Sequence, residues 1–114
     1  QKYSRNIRVT RIVDTFLEHA RIWYFGNGGN PKLFLGSPDW MRRNLYRRIE
    51  AVTPILDPDA KQELIDMLSI QLSDKRKACF VDENLHNCWK SAHPLKEKVR
   101  SQYTFYEYLK ERIE

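Results

Sequence analysis

One histidine, one Gly-Ser turn and a cluster of arginines are the residues of this sequence best suited to phosphate chemistry. His19 lies between Glu18 and Ala20, and the turn occupies residues 36–39. Within seven positions the chain places Arg42, Arg43, Arg47 and Arg48. A turn of this kind, at the end of a strand and before a helix, presents amides and a hydroxyl to an anion. Guanidinium groups stay charged and bind phosphate oxygens in pairs, so the set predicts a phosphate site with a proton-handling histidine.

The composition favours one basic domain with polyanionic partners. The 114 residues suit a single domain, 41% of them are hydrophobic, and the formal net charge is +5. That charge favours nucleic acid, anionic lipid or a phosphate polymer as partner, without choosing among them. The longest apolar stretches are only a few residues, so no integral membrane segment is expected. A chain that begins with Gln1 is expected to be part of a longer protein.

Hydrophobic spacing and turn residues predict the elements that must position this site. The first half of the chain is predicted to contain a helix over residues 10–18, strands over 21–25 and 32–35, a short helix over 40–45 and a strand over 48–53. The glycines and asparagines of residues 26–31 predict a hairpin between the first two strands. They lack the Lys-Ser/Thr ending of a P-loop, so a phosphate-cradling role is not expected.

The second half is predicted to add two helices and one strand. Asp57 and Pro58 are typical of a helix start, and that helix runs to about residue 72. A strand follows over residues 77–81, and a final helix begins at Pro94. Because strands and helices alternate, the predicted fold class is α/β, with a mixed sheet flanked by helices.

Several stretches resemble the C-terminal domain of polyphosphate kinases. They carry the sequences FLEHARI, FGNGG, SPDWMRRNL and RRIE, at residues 16–22, 25–29, 37–45 and 47–50, and further matches at residues 54–57, 72–74, 82–85 and 106–110. The resemblance covers nearly the whole chain in order. It implies that residues 1–114 form a single domain, the C-terminal catalytic segment of a longer polyphosphate kinase.

The resemblance also implies that the fold is half of a phospholipase D-like pair. That superfamily combines His-x-Lys with Gly-Ser-x-Asn, whereas this chain has Arg21 in the lysine position and Asp39 in the asparagine position. The two departures weigh against phosphodiester hydrolysis. Tyr46 stands where polyphosphate kinases normally have Asp.

The resemblance implies that the protein takes part in the reversible transfer of the terminal phosphate of ATP to inorganic polyphosphate. His19 would contact the nucleotide phosphates and serve in proton transfer or phosphate stabilisation. Arg48, Arg43 and Arg47 would bind the phosphates and offset their charge, while Arg42 is assigned to solvent. The histidine that becomes phosphorylated in this family lies in a preceding domain, so the isolated segment is predicted to be inactive.

The implied partners are ATP or ADP, inorganic polyphosphate, the preceding domains of the same enzyme and further copies of it in a homo-oligomer. Mg²⁺ would accompany ATP and be bound mainly outside this segment. The implied location is the cytoplasm, with peripheral association with the inner face of the membrane as an open alternative. Nucleic acid is not an expected partner.

Two other functions remain open on sequence alone: a basic nucleic-acid-binding module and, more weakly, a phospholipase D-like phosphodiesterase. A zinc site is not expected, because its candidate ligands lack the close cysteine pair of structural zinc sites. Those ligands would be Cys79, His86, Cys88 and His93.

Overall fold

The computed structural model describes residues 4–113 and shows helices and strands in two compact units. The central unit comprises residues 18–64, and the terminal unit comprises residues 4–17 and 65–113 of the described chain. The strands are β1 (Thr10–Ile12), β2 (Ile22–Phe25), β3 (Lys32–Gly36), β4 (Val52–Pro54), β5 (Ala78–Val81) and β6 (Asn87–Trp89). The helices are α1 (Arg42–Arg47), α2 (Pro58–Ser73) and α3 (Ser101–Ile113).

The α/β class is confirmed, but the strands pair differently from the prediction. A single mixed sheet was predicted, and the described chain instead has two three-stranded sheets with the orders β1-β5-β6 and β2-β3-β4. Every strand pair is antiparallel. Short connections such as residues 26–31 join neighbouring strands directly, and this favours antiparallel pairing because parallel strands need a long crossover.

The predicted hairpin of the central unit is confirmed. In the β2–β3 register Ile22 faces Leu35 and Phe25 faces Lys32. The connection contains Gly28 and Gly29 at φ angles of 61° and 93°, a left-handed region that glycine enters without steric cost. Leu33, only 1% exposed, places the buried part of this unit at the middle strand.

Strand β4 completes the central sheet, later in the chain than predicted. It begins at Val52 and pairs with β3 so that Gly36 faces Val52, whereas the predicted strand started at residue 48. Residues 48–51 are irregular, because the side chain of Glu50 and the backbone of Ala51 are committed to Ser37. Helix α1 is confirmed with its start moved to Arg42.

Helix α2 follows the prediction closely. The Asp57 carboxylate accepts a hydrogen bond of 2.8 Å from the backbone N–H of Ala60, as a capping side chain should. Pro58 is the first helical residue, where its missing N–H costs nothing.

The helix predicted over residues 10–18 is wrong. Thr10 to Ile12 form β1 and pair with β5, with Thr10 opposite Phe80 and Ile12 opposite Ala78. The β-branched side chains of this stretch suit a strand, and pairing with a segment distant in sequence overrides the apolar spacing that suggested a helix. Asp14 then ends the strand by accepting hydrogen bonds from Arg100 and from the backbone of Thr15.

Strand β6 was not predicted, and α3 starts later than predicted. The β5–β6 turn is built by the Asp82 carboxylate, which accepts hydrogen bonds from the backbone of Asn84 and His86 at 2.9 and 2.8 Å. Pro94 opens only a short 3₁₀ turn, and α3 begins at Ser101.

The buried carboxylate of Asp74 fixes where α3 begins. Asp74 is 0% exposed, and one of its oxygens accepts from the backbone N–H of Ser101 at 2.7 Å. Its other oxygen accepts from the backbone N–H groups of Arg76 and Lys77 at 2.8 and 2.7 Å. One side chain therefore joins the start of α3 to the loop before β5. Next to that loop lie Ala78 and Cys79, both 0% exposed.

Within residues 4–113, none of the helices has both the length and the apolar composition required to cross a bilayer.

Replacing Asp74 tests how much this terminal unit depends on one side chain. Asp74→Ala removes the acceptor of three backbone donors, and the free energy of unfolding should fall by about 2–4 kcal/mol. The matched control is Asp57→Ala, which removes one exposed helix cap and should cost about 1 kcal/mol. Urea denaturation followed by circular dichroism measures both. Equal losses for the two variants would contradict the assigned role of Asp74.

Candidate functional site

His19 lies in an exposed, irregular segment of the central unit, immediately before β2. Two residues later, Arg21 leads into that strand, and its carbonyl accepts a hydrogen bond of 3.2 Å from the backbone N–H of Gly36. The sheet therefore fixes the backbone two residues from the histidine. The imidazole remains accessible to a ligand in solution.

Arg21 forms an ion pair across the hairpin with Asp39. Its Nε donates to the Asp39 carboxylate at 2.7 Å, and its Nη1 donates to the backbone carbonyl of His19 at 3.2 Å. The Arg21 side chain is 29% exposed and that of Asp39 is 40% exposed. One guanidinium therefore connects the histidine segment to the loop that follows β3.

The surroundings of Asp39 bring two predicted site residues to one place. The hydrogen bond from Arg21 lowers the pKa of Asp39, and partial removal from water opposes that effect. The positive charges of Arg21 and Arg43 lower the pKa further, as does His19 whenever its ring is protonated. His19 and Arg43 therefore both lie within electrostatic reach of this carboxylate.

The Gly-Ser turn is held by hydrogen bonds to the segment before β4. The backbone N–H of Ser37 donates to the carbonyl of Ala51 at 3.0 Å, and the N–H of Ala51 donates to the Ser37 hydroxyl oxygen at 3.2 Å. The Ser37 hydroxyl itself donates to the carboxylate of Glu50. Ser37 is thus committed to the protein's own backbone and to a carboxylate, rather than turned toward an anion as the sequence predicted.

Gly36 is required where these segments meet. A Cβ at this position would lie 2.7 Å from the Trp23 ring and 2.9 Å from the carbonyl oxygen of Ala51, closer than real carbon atoms approach. Only glycine therefore lets the end of β3 contact both neighbours.

Glu50 also holds helix α1 through a buried amide. Asn44, 4% exposed, donates from its side chain to the second oxygen of Glu50 at 2.7 Å. The hydrogen bonds from Ser37 and Asn44 lower the pKa of Glu50, desolvation opposes them, and the charge of Arg48 lowers it further. Glu50 therefore remains ionised and lies within electrostatic reach of Arg48.

The arginines predicted to bind phosphate are all exposed. They differ in whether they lie near Asp39 or Glu50. Arg43 lies in the first turn of α1 near Asp39, and Arg48 immediately follows the helix near Glu50. Arg47 lies in the last turn of α1 and, within residues 4–113, makes no ion pair at salt-bridge distance. His19 and Arg43 therefore lie within electrostatic reach of Asp39, and Arg48 within reach of Glu50, whereas Arg47 is placed only by its helix.

Sequence reasoning missed the structural roles of Asn44 and Glu50. Both belong to the stretches that resemble polyphosphate kinases, but neither was predicted as a site residue. The signal that could have found them is the β3–β4 register, because Gly36 opposite Val52 brings Ser37 next to Ala51. The predicted start of β4 at residue 48 concealed that register.

The described residues do not form a cation site of their own. From Ser4 to Ile113, no group of three or more His, Cys, Asp or Glu residues is arranged to hold a metal ion. The carboxylates of Asp39 and Glu50 accept hydrogen bonds from Arg21, Ser37 and Asn44. This donor set does not fit a Mg²⁺ ion, which requires several oxygen ligands in octahedral geometry.

Comparison with known proteins identifies the family to which this fold belongs. Residues 1–102 match the family model described as polyphosphate kinase C-terminal domain 2. The polyphosphate kinase of Escherichia coli strain K12 is 46% identical over 107 residues, which cover 94% of this chain and 15% of that protein. The polyphosphate kinase of Klebsiella pneumoniae is likewise 46% identical, with 94% of this chain and 16% of that protein covered.

A solved structure agrees with these sequence matches. The crystal structure of polyphosphate kinase from Porphyromonas gingivalis superposes with a TM-score of 0.88 and 53% identity, covering 95% of this chain and 16% of that one. The chain belongs to the polyphosphate kinase family and corresponds to its C-terminal domain 2. It spans about 15% of the length of the curated relatives it matches.

A pH series on Glu50→Gln tests whether the ionised carboxylate holds the turn. The lowered pKa means that Glu50 stabilises the fold fully above its ordinary, unfolded-state pKa of 4.5 and loses this effect as the pH falls through the folded-state value. Glu50→Gln should therefore lower the midpoint of thermal unfolding at pH 7. The difference from the unchanged chain should shrink as the pH falls below 4.5. A difference that stays constant down to acid pH would contradict the assignment.

Proposed function

We propose that this chain is the part of a polyphosphate kinase that binds and stabilises phosphates during reversible transfer of the terminal phosphate of ATP to inorganic polyphosphate. It supplies His19 as the second active-site histidine, together with Arg48, Arg43 and Arg47 as phosphate-binding residues. Membership of the polyphosphate kinase family supports the reaction class, since the relatives are themselves polyphosphate kinases.

The observation that supports this proposal is that His19, Arg43 and Arg48 all belong to the central unit, where Arg43 and His19 lie within electrostatic reach of Asp39 and Arg48 within electrostatic reach of Glu50. The two carboxylates are engaged by Arg21, Ser37 and Asn44, so they act as internal supports. Arg43 and Arg48 are exposed and keep their guanidinium groups accessible. That arrangement suits a polyanion whose charge must be offset.

Phosphoryl transfer depends mainly on positioning and on electrostatic stabilisation, because the transferred group carries its charge on three outer oxygens. In the proposed mechanism Arg48 and Arg43 donate to phosphate oxygens and stabilise the charge that builds up between donor and acceptor. Arg47, one residue before Arg48, adds positive charge to the same stretch. These residues form no covalent bond with the substrate.

His19 acts beside the transferred phosphate, and from that position it has two possible roles, proton transfer and hydrogen bonding. In the first, the neutral imidazole accepts a proton from a phosphate oxygen and the resulting imidazolium later returns it; in the second, a protonated imidazole donates a hydrogen bond to that oxygen. Both require an accessible ring, and His19 is exposed. The phosphorylated histidine that resemblance to the family implies lies outside this chain, so the isolated chain is proposed to lack kinase activity.

The remaining parts of the enzyme are proposed to cover surfaces that this chain leaves exposed. Ile49 is fully exposed, and Trp40 and Leu56 are each 83% exposed, all three within the central unit. Large apolar side chains at such exposure are typical of surfaces that another domain covers. The proposed partners are the preceding domains of a longer, homo-oligomeric enzyme in the cytoplasm, where ATP arrives with Mg²⁺ held by residues outside this chain.

Phosphodiester hydrolysis is not proposed. Arg21 and Asp39, in the positions of the superfamily's lysine and asparagine, are paired with each other at 2.7 Å. Because Arg21 and Asp39 bind each other, neither side chain is available to bind the phosphate of a diester.

Replacing His19 tests its catalytic role. In a full-length polyphosphate kinase carrying this segment, His19→Ala should lower polyphosphate synthesis from ATP by about 10²-fold or more. The reason is the loss of the group that handles a proton or stabilises the phosphate. The matched control is His93→Ala, an exposed histidine of the terminal unit, which should retain activity within about twofold. Synthesis by His19→Ala at the control's rate would refute the proposal.

Replacing neighbouring arginines tests which of them binds phosphate. Arg48→Gln should raise the KM for ATP or polyphosphate about tenfold, because a charged hydrogen bond to phosphate is lost. Arg42→Gln removes the same charge from the start of α1 and should change KM by no more than about twofold. Steady-state kinetics on the same full-length enzyme measures both. Equal effects would indicate that only net charge matters, as in unspecific binding of polyanions such as nucleic acid.

A further inference from the structure

The Arg21–Asp39 pair is the feature of the central unit that the proposed mechanism does not use. We propose that this ion pair is a positioning device, which fixes the backbone at His19 for phosphoryl transfer and does not itself bind phosphate. The inference rests on the proposed function of His19. It assigns Arg21 and Asp39 as positioning residues.

Arg21 is held at both ends. Its backbone carbonyl accepts from the N–H of Gly36 at 3.2 Å, as part of the sheet. Its guanidinium donates through Nε to Asp39 at 2.7 Å and through Nη1 to the carbonyl of His19 at 3.2 Å. The Arg21 side chain therefore bends back onto the segment that precedes its own strand, and the loop after β3 holds it there.

His19 needs such support because its own segment has no regular secondary structure. An exposed imidazole on an irregular backbone samples many positions, and phosphoryl transfer tolerates little misplacement of a catalytic group. The hydrogen bond from Arg21 to the carbonyl of His19 restricts that backbone directly. Asp39 fixes the orientation of the Arg21 guanidinium, which donates to the His19 carbonyl. The effect of Asp39 on His19 is therefore indirect and passes through Arg21.

The charge balance distinguishes a positioning role from a phosphate-binding one. Asp39 lies against Arg21 and offsets its charge, whereas Arg48 makes no ion pair at salt-bridge distance within residues 4–113. A guanidinium already paired with a carboxylate attracts a polyanion less than an unpaired one does. We therefore expect Arg48 and Arg43 to bind phosphate. Arg21 is expected to hold the backbone at His19 in place.

Stability and activity should respond differently to loss of this pair. Exposed ion pairs contribute little to folding stability, and both side chains are substantially exposed. Removing the pair should therefore leave the midpoint of thermal unfolding nearly unchanged while it lowers the rate of chemistry.

The test is a double-mutant cycle in a full-length polyphosphate kinase carrying this segment. Arg21→Gln and Asp39→Asn should each lower kcat about tenfold and leave the KM for ATP within about twofold. The double variant should be no slower than the slower single variant, because both changes break one device. Arg21→Lys keeps the charge beside Asp39 without the forked donor, and it should recover part of the lost kcat.

A second Arg–Asp pair provides the control. In the terminal unit Arg100 binds Asp14, whose side chain is 1% exposed. Arg100→Gln should lower the midpoint of thermal unfolding and leave kcat within about twofold, the reverse of the result expected for Arg21→Gln.

Three results would overturn the inference. An unchanged kcat for Asp39→Asn would show that the pair is not needed. A raised KM for Arg21→Gln with a lowered KM for Asp39→Asn would make Arg21 a direct phosphate ligand. Additive losses in the double variant would mean that the two residues act separately.

The inference and the proposed function fail in distinguishable ways. Normal activity of His19→Ala would remove the proposed function and the inference with it. An inactive His19→Ala variant beside normal Arg21→Gln and Asp39→Asn variants would remove only the positioning role.

Discussion

The central unit depends on two carboxylates that hold a strongly basic loop in one shape. Between β3 and β4 the chain carries four arginines within seven positions, and like charges so close repel one another. Asp39 and Glu50 counter this repulsion from opposite ends of the loop. Asp39 is joined to β2 through Arg21, and Glu50 joins the turn after β3 to helix α1. Together they connect the histidine segment, the turn after β3 and helix α1.

The same two carboxylates place fixed negative charge among the arginines. Each is stabilised in its charged form by hydrogen bonds, which lower its pKa, so each stays negative at neutral pH. Asp39 offsets Arg21, while Glu50 is satisfied by Ser37 and Asn44, which are uncharged. Four arginines between β3 and β4 outnumber these two carboxylates, and within residues 4–113 neither Arg43 nor Arg48 forms an ion pair at salt-bridge distance, so this stretch keeps a net positive charge.

The sequence was informative wherever a local rule decides the structure. The glycine-rich turn predicted the β2–β3 hairpin, and Asp57 with Pro58 predicted the start of α2. Residue types and a family resemblance were enough to indicate His19 and the arginines as candidate site residues. Arg43 and Arg48 lie near the two carboxylates, while Arg47 has no comparable link.

Pairings between distant segments could not be predicted in this way. Residues 10–12 have helical spacing but form β1, because β5 offers a partner that the local sequence does not reveal. The start of α3 at Ser101 is set by Asp74, a side chain far away in the sequence. The choice of Asp39 as partner for Arg21, and of Ser37 for Glu50, likewise depends on strand register.

The most direct test of the account is a titration of the isotopically labelled 114-residue chain with inorganic tripolyphosphate, followed by NMR. The account predicts shifts concentrated at His19, Arg43 and Arg48, with the terminal unit nearly unaffected, and the loss of this pattern in Arg48→Gln. Shifts spread evenly over the basic residues of both units, or concentrated in the terminal unit, would contradict the claim that the central unit holds the phosphates.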